Sequence, residues 1–168
     1  MAIATQMTVE EYLLSGFDPD CEFVDGEVLE RNMGELDHSW TQRRLIQYFA
    51  EREAQLGVFA LQSWTFKVTN TNYRIPDFVV IAGPEPNEQI LTTRPLVCVE
   101  VLGSDDRPGP MMKKVDDYLS NGVRYVWILD PQCHQAFAYT TSGFNRLTEG
   151  VLRTENPAIE IPLNEIFE

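Results

Sequence analysis

Two apolar stretches that each contain one carboxylate constrain this chain most. Residues 73–81 read YRIPDFVVI and residues 95–102 read PLVCVEVL, and runs so rich in Val and Ile are typical of strands buried on both faces. Asp77 lies inside the first run and Glu100 inside the second. Burying an unpaired carboxylate costs several kcal/mol or forces it to bind a proton. Two such acids on neighbouring strands therefore suggest a shared cation, a lysine partner, or both.

Length and charge restrict the classes of protein that this chain can be. A chain of 168 residues with 43% hydrophobic content predicts one domain over residues 1–168, because it can bury one core but is short for two. Thirteen Lys and Arg against 26 Asp and Glu give a net charge of −13, which excludes general adhesion to nucleic acid or anionic membrane. With no signal segment and no apolar run near about 18 residues, we expect a cytoplasmic protein without membrane contact.

The first third of the chain predicts a short helix, a hairpin and a long helix. A capping box formed by Thr8 and Glu11 starts the short helix, and Asp25-Gly26 supplies the tight turn of a hairpin that we expect to open the sheet. From residue 36 to residue 56 there is no proline or glycine, and apolar residues recur near helical spacing. The apolar residues expected on the buried face of the long helix are Leu36, Trp40, Ile46 and Phe49.

The remainder predicts strands arranged around one crossover helix. We expect strands over residues 58–68, 73–81, 95–102 and 124–129, a helix over residues 111–119, a hairpin around residues 141–143 and a terminal helical turn over residues 163–167. A helical crossover usually joins parallel strands, whereas the strands before it are linked by hairpins. The predicted fold class is therefore α/β, with a central mixed β-sheet flanked by helices.

The order of these motifs resembles the restriction-endonuclease-like superfamily, which is named for its PD-(D/E)XK motif. The resemblance is closest to a branch of endonucleases of little-known function that occurs in many copies in some photosynthetic bacteria. The matching blocks are residues 23–29 (FVDGEVL) with His38 after them, Pro76-Asp77, residues 99–102 (VEVL), residues 114–118 (KVDDY) and residues 122–131 (GVRYVWILDP). The resemblance implies a restriction-endonuclease-like core and metal-dependent hydrolysis of phosphodiester bonds in DNA.

The resemblance also implies a metal site and a catalytic lysine. Asp77, Glu100 and the main-chain carbonyl of Val101 would bind Mg²⁺, with Mn²⁺ as the alternative, because hard cations prefer carboxylate and carbonyl oxygens. The usual lysine of the superfamily, two residues after the second acid, would fall on Leu102. The branch resembled here takes its lysine from the following helix, and that position maps onto Lys114.

Helical geometry selects between the two adjacent lysines of that helix. Lys114 flanks the apolar face of the predicted helix, whereas Lys113 lies nearly opposite it. We therefore expect Lys114 to reach Glu100. Two other positions depart from the branch, since Gly103 stands where a serine is usual and Pro110 where an acid is usual.

The sequence leaves alternatives open for Glu22, for His38 and for the function of the protein. Glu22 is the fourth candidate catalytic residue, an acid that either reaches the metal through water or is a surface or hydrogen-bonded carboxylate. His38 starts the long helix and could point towards the acids, although a lone histidine more often makes local hydrogen bonds. The expected partner is nucleic acid, above all double-stranded DNA, and a homodimer is expected by analogy. The alternative function is a catalytically silent nuclease-fold protein that serves as a binding or assembly module.

Overall fold

The computed structural model describes residues 6–32 and 34–168, and these residues form five helices and twelve strands. The helices are α1 (Val9–Leu14), α2 (Leu36–Ala50), α3 (Glu53–Leu56), α4 (Pro108–Ser120) and α5 (Leu163–Phe167). The strands are β1 (Cys21–Val24), β2 (Glu27–Glu30), β3 (Val58–Gln62), β4 (Phe66–Thr69), β5 (Asn72–Arg74), β6 (Phe78–Ala82), β7 (Val97–Val101), β8 (Tyr125–Asp130), β9 (Gln135–Thr140), β10 (Gly143–Leu147), β11 (Val151–Thr154) and β12 (Ile159–Pro162).

Six strands form the large sheet, in the order β10, β9, β8, β7, β6, β3. Strands β7 and β8 run parallel because α4 crosses between them, and the other neighbouring pairs are antiparallel. This confirms the predicted mixed sheet flanked by helices. The N-terminal hairpin was expected to open that sheet, but it belongs to a second sheet of order β2, β1, β5, β4, because β1 pairs with β5.

The large sheet is covered on both faces, and β7 shows how its residues alternate. Val97, Val99 and Val101 pack in the cluster that contains α2 and α5. Cys98 packs in the cluster on the opposite face, which contains α4. Because side chains alternate along a strand, Glu100 shares the face of Cys98. The sheet thus directs one carboxylate towards the underside of α4.

The apolar run of residues 73–81 is not the single strand that its composition predicts. It contributes β5 to the second sheet and β6 to the large sheet, and residues 75–77 connect the two. Pro76 has no N–H to donate to a strand ladder, and the N–H of Ile75 donates to Glu22 Oε1 at 2.9 Å. Asp77 therefore lies in a connector between the sheets and not within a strand.

Two other predicted elements are also interrupted. The expected strand over residues 58–68 divides into β3 and β4, since Ser63 adopts a φ of 49°, which no strand residue uses. The expected long helix ends at Ala50 and resumes as α3 after Arg52, whose φ of −128° is not helical. Gly57, in the left-handed conformation, stops the helical segment as predicted.

The buried face of α2 also differs from the expectation. Leu36 and Trp40 are 73% and 43% exposed, and Ile46 is 36% exposed. The buried residues of this helix are Thr41, Leu45 and Phe49, which recur at every fourth position as a helix face requires. Only Phe49 was assigned to the correct face.

The C-terminal third agrees more closely with the expectation. The hairpin of β9 and β10 and the terminal helix α5 are confirmed. Helix α4 begins at Pro108, earlier than predicted, because proline is favourable at the first position of a helix. Strands β11 and β12 were not predicted from the sequence; their exposed residues, including Arg153 and Glu160, alternate with buried ones. Within the part of the chain described, no helix is long and apolar enough to cross a membrane.

Candidate functional site

A cleft of about 340 Å³ lies between the second sheet and the end of β7 that precedes α4. Its acidic residues are Glu22, Glu30, Asp77, Glu100, Asp105 and Asp106, and its basic residues are Arg31, Arg74, Arg107 and Lys114, with His38 beside them. Val101 also lines the cleft. The structure thus brings together every side chain that the sequence suggested for a site, whereas Lys113 lies outside the lining.

Asp77 is held by three donors in the connector between the sheets. Its Oδ2 atom accepts hydrogen bonds from the Val101 N–H at 2.8 Å and from His38 Nε2 at 3.2 Å. Its Oδ1 atom accepts from Arg31 Nη2 at 2.9 Å. Burial alone would raise the pKa of Asp77, but His38, Val101 and Arg31 together lower it. The connector therefore presents an ionised carboxylate to the cleft.

Glu100, on β7, lies in a different environment from Asp77. Its Oε1 atom accepts from the Tyr118 hydroxyl at 2.7 Å and its Oε2 atom from Lys114 Nζ at 3.1 Å. Burial raises the pKa of Glu100 to about 7; Lys114 opposes this rise, and the charges of Asp77 and Glu22 add to it. Burial and the two neighbouring acids thus outweigh the ammonium of Lys114, so the cleft disfavours the ionised form of Glu100.

Helix α4 supplies both partners of Glu100 from one face. Lys114 and Tyr118 are four residues apart, so they project from adjacent turns. Burial alone would lower the pKa of Lys114, but Glu100 and Glu22 raise it, and the ammonium stays protonated. Lys113 is exposed. The helix therefore directs Lys114 into the cleft and Lys113 into solvent.

Glu22 is buried on β1 and is not a surface carboxylate. Its Oε2 atom accepts from Arg74 Nη1 at 3.0 Å, and its Oε1 atom accepts from the Ile75 N–H. Lys114 Nζ lies 3.3 Å from the same Oε1 atom. Of the two alternatives left open for Glu22, this geometry fits the hydrogen-bonded carboxylate.

Sequence reasoning underrated His38 and missed Arg31 and Arg74. His38 does point towards the acids, and its hydrogen bond to Asp77 raises its pKa. Among the described residues nothing hydrogen-bonds its buried Nδ1 atom. Arg74 could have been found, because a charged residue inside the apolar run of residues 73–81 needs a buried partner. Arg31 sits in a polar segment with no such signal.

The donor set fits a hard divalent cation. Asp77 and Glu100 offer carboxylate oxygens and Val101 a main-chain carbonyl, and Mg²⁺ commonly binds one or two carboxylates while it keeps several waters. Across residues 6–32 and 34–168 no group of three or more His, Cys, Asp or Glu side chains is arranged to hold a metal. A cation would therefore rely on water for much of its coordination, and it would compete with Arg31 and Lys114 for the two acids.

Comparison with known proteins supports the assignment of the fold. Residues 9–165 match the Uma2 family, described as "Putative restriction endonuclease". Five chains of known structure match, among them one from Anabaena variabilis ATCC 29413 described as a "putative nuclease belonging to DUF820". That chain superposes with a TM-score of 0.83 at 19% identity, over 96% of this chain and 97% of the other. No curated protein matches the sequence.

Proposed function

We propose that this chain, which belongs to the Uma2 family described as "Putative restriction endonuclease", forms one domain over residues 1–168. This domain cleaves double-stranded DNA with Mg²⁺ or Mn²⁺. The family and the nuclease-like fold support a nuclease. The choice of Mg²⁺ or Mn²⁺ and of double-stranded DNA goes beyond them and is our own proposal. The homodimer and the cytoplasmic location stay predictions.

One observation carries the proposal. Two buried carboxylates, Asp77 and Glu100, and one ammonium, Lys114, line a single open cleft. Phosphodiester hydrolysis needs a cation to neutralise the phosphate oxygens and a positioned, activated water. Residues of these types in one cleft supply ligands for the cation and a second positive charge for the phosphate.

The residues of the chain would divide the work as follows. Asp77, Glu100 and the Val101 carbonyl would hold the metal, which supplies Lewis-acid activation of water and charge neutralisation. Lys114 would donate hydrogen bonds to the attacking water or to a phosphate oxygen. Its raised pKa keeps it protonated, so it suits charge stabilisation better than proton abstraction. His38 would orient Asp77 through the Nε2 contact.

Charge makes binding of nucleic acid depend on the metal. The chain carries a net charge of −13. The basic side chains of Arg31, Arg74 and Lys114 are already paired with acidic side chains. Affinity for DNA without metal should therefore be weak and should fall steeply with salt. A divalent cation in the cleft would offset the acids and strengthen binding.

Cleavage of supercoiled plasmid tests the proposed activity. The protein should convert plasmid to nicked or linear forms in Mg²⁺ or Mn²⁺ but not in EDTA. Asp77→Asn should reduce the rate by at least about a hundredfold, because a ligand charge is lost. A parallel reaction with single-stranded DNA and RNA of equal length identifies the substrate. Cleavage that persists in EDTA, or in the Asp77→Asn protein, would contradict the proposal.

The silent binding module is the second candidate, and specific observations favour it. Gly103 and Pro110 stand where the related branch has a serine and an acid, and both proposed metal ligands already have protein partners. A silent module needs no metal. Absence of cleavage together with absence of duplex binding in Ca²⁺ at low salt would make this the better account.

A further inference from the structure

Both oxygens of Glu22 are engaged by protein donors. One oxygen accepts from Arg74, and the other accepts from the Ile75 N–H and lies beside Lys114. The side chains of Glu22 and Arg74 are only 4% and 3% exposed, whereas Arg31 and Lys114, the cations paired with the proposed metal ligands, are 21% and 19% exposed. Breaking the pair of Glu22 and Arg74 would leave a buried charge without a partner, which is strongly destabilising.

Arg74 is fixed in turn from the side of helix α4. Its Nε and Nη2 atoms both donate to Asp117 Oδ2, at 3.0 and 2.6 Å. The same oxygen accepts from Asn72 Nδ2 at 3.0 Å. The rigid fork of a guanidinium can bind two carboxylates in a defined geometry. Arg74 therefore ties Glu22, on the second sheet, to α4, which carries Lys114.

Lys114 stands at the end of this chain of contacts. Its Nζ atom lies 3.3 Å from Glu22 and 3.1 Å from Glu100. A lysine side chain is a flexible stem that carries a point charge, so one contact would leave its direction open. Two carboxylates on different sheets confine the ammonium to one place in the cleft.

We propose that Glu22, Arg74 and Asp117 are positioning residues that hold Lys114 in the cleft, and that Glu22 is not a metal ligand. The inference builds on the proposed nuclease function, in which Lys114 acts on the phosphate or the attacking water. It replaces the expectation that Glu22 is a fourth catalytic residue. Glu22 acts on the reaction only through the lysine.

Lysine acetylation in the metal-free protein tests the positioning directly. Brief treatment with an acetylating ester, followed by mass spectrometry, gives the ratio of modification at Lys114 to that at its exposed neighbour Lys113. Glu22→Gln keeps the shape of the side chain but removes its charge, and the ratio should rise at least about fivefold. Asp117→Asn should raise it less, and Asp116→Asn, an exposed control on the same helix, should not change it.

Kinetics and calorimetry separate positioning from metal binding. In Glu22→Gln the kcat should fall about tenfold or more, while the Mg²⁺ affinity should stay within about threefold of wild type. A loss of Mg²⁺ affinity as large as that in Asp77→Asn would overturn the proposal, as would an unchanged acetylation ratio in Glu22→Gln. If that variant does not fold, Asp117→Asn, altered at a partly exposed side chain, decides by the same two measurements.

The two proposals fail separately. If the wild-type protein neither binds metal nor cleaves nucleic acid, the nuclease function fails while the acetylation ratio still reports on the position of Lys114. If the wild-type protein cleaves DNA and the ratio does not respond to Glu22→Gln, only the positioning network fails.

Discussion

An arginine meets a glutamate at nearly the same distance in two regions of this molecule. In the cleft, Arg74 Nη1 lies 3.0 Å from Glu22, with side chains 3% and 4% exposed. On the hairpin of β11 and β12, Arg153 Nε lies 2.9 Å from Glu160, with side chains 63% and 64% exposed. Water screens the second pair, which leaves it worth about 0 to 1 kcal/mol. The first pair is buried, where each charge needs a partner. The distance between the charges therefore does not by itself show how much such a pair contributes.

The contrast explains why the cleft can hold its charges in fixed places. A surface carboxylate can rotate into water when its partner is lost, whereas Glu22 and Glu100 cannot. Every substitution in the cleft should therefore affect its neighbours. Substitutions in the hairpin should remain local.

The largest difference is expected between the two adjacent lysines. Lys114→Ala should lower kcat by about 10² to 10³, as loss of a positioned charge donor does elsewhere. Lys113→Ala should leave kcat within about twofold, since that side chain lies outside the cleft. Plasmid cleavage at saturating metal measures both. A greater loss in Lys113→Ala would mean that the active face of α4 is wrongly assigned.

A smaller effect should separate the two carboxylates by stability. Asp77→Asn should lower the free energy of unfolding of the metal-free protein by about 1 to 3 kcal/mol, because its charge is stabilised by Arg31 and His38. Glu100→Gln should raise it by about 1 kcal/mol, because its charge is disfavoured in the cleft. Urea denaturation in EDTA measures both values. A shift of the same sign in both variants would contradict the environments described for them.

A moderate pH effect follows from Glu100. Its pKa is raised from 4.5 to about 7 in the folded protein, so its stabilising contribution without metal is full below its ordinary pKa and is lost as the pH rises through about 7. Metal needs the carboxylate form. Mg²⁺ affinity should therefore rise about tenfold between about pH 6 and about pH 8. In Glu100→Gln the affinity should rise less with pH, and a slope equal to that of wild type would exclude Glu100 as its source.

The smallest effect is expected on the hairpin. Arg153→Ala should change the free energy of unfolding by less than about 1 kcal/mol, because water replaces the arginine at Glu160. The kcat should not change. Thermal denaturation at low and high salt provides the measurement. A loss as large as that in Asp77→Asn would remove the distinction between the two regions.

The sequence was informative where charge and burial conflict. Acids inside apolar runs pointed to Asp77 and Glu100, and helical periodicity distinguished Lys114 from Lys113. The apolar composition of residues 73–81 predicted the wrong strand boundaries, because it does not show which main-chain N–H groups form hydrogen bonds outside the sheet. The N–H of Ile75 bonds to Glu22, a contact between residues 53 positions apart. Arg31 and Asp117 were missed for the same reason, since tertiary contacts alone give them their roles.

Calorimetric titration with Mn²⁺ tests the central claim most directly, because it asks whether the two buried acids form a metal site regardless of cleavage. The wild-type protein and the Lys113→Ala control should bind Mn²⁺ with equal affinity. Asp77→Asn and Glu100→Gln should each bind at least about tenfold more weakly, since each removes a ligand charge. No binding by the wild-type protein, or unchanged affinity in both variants, would contradict the claim.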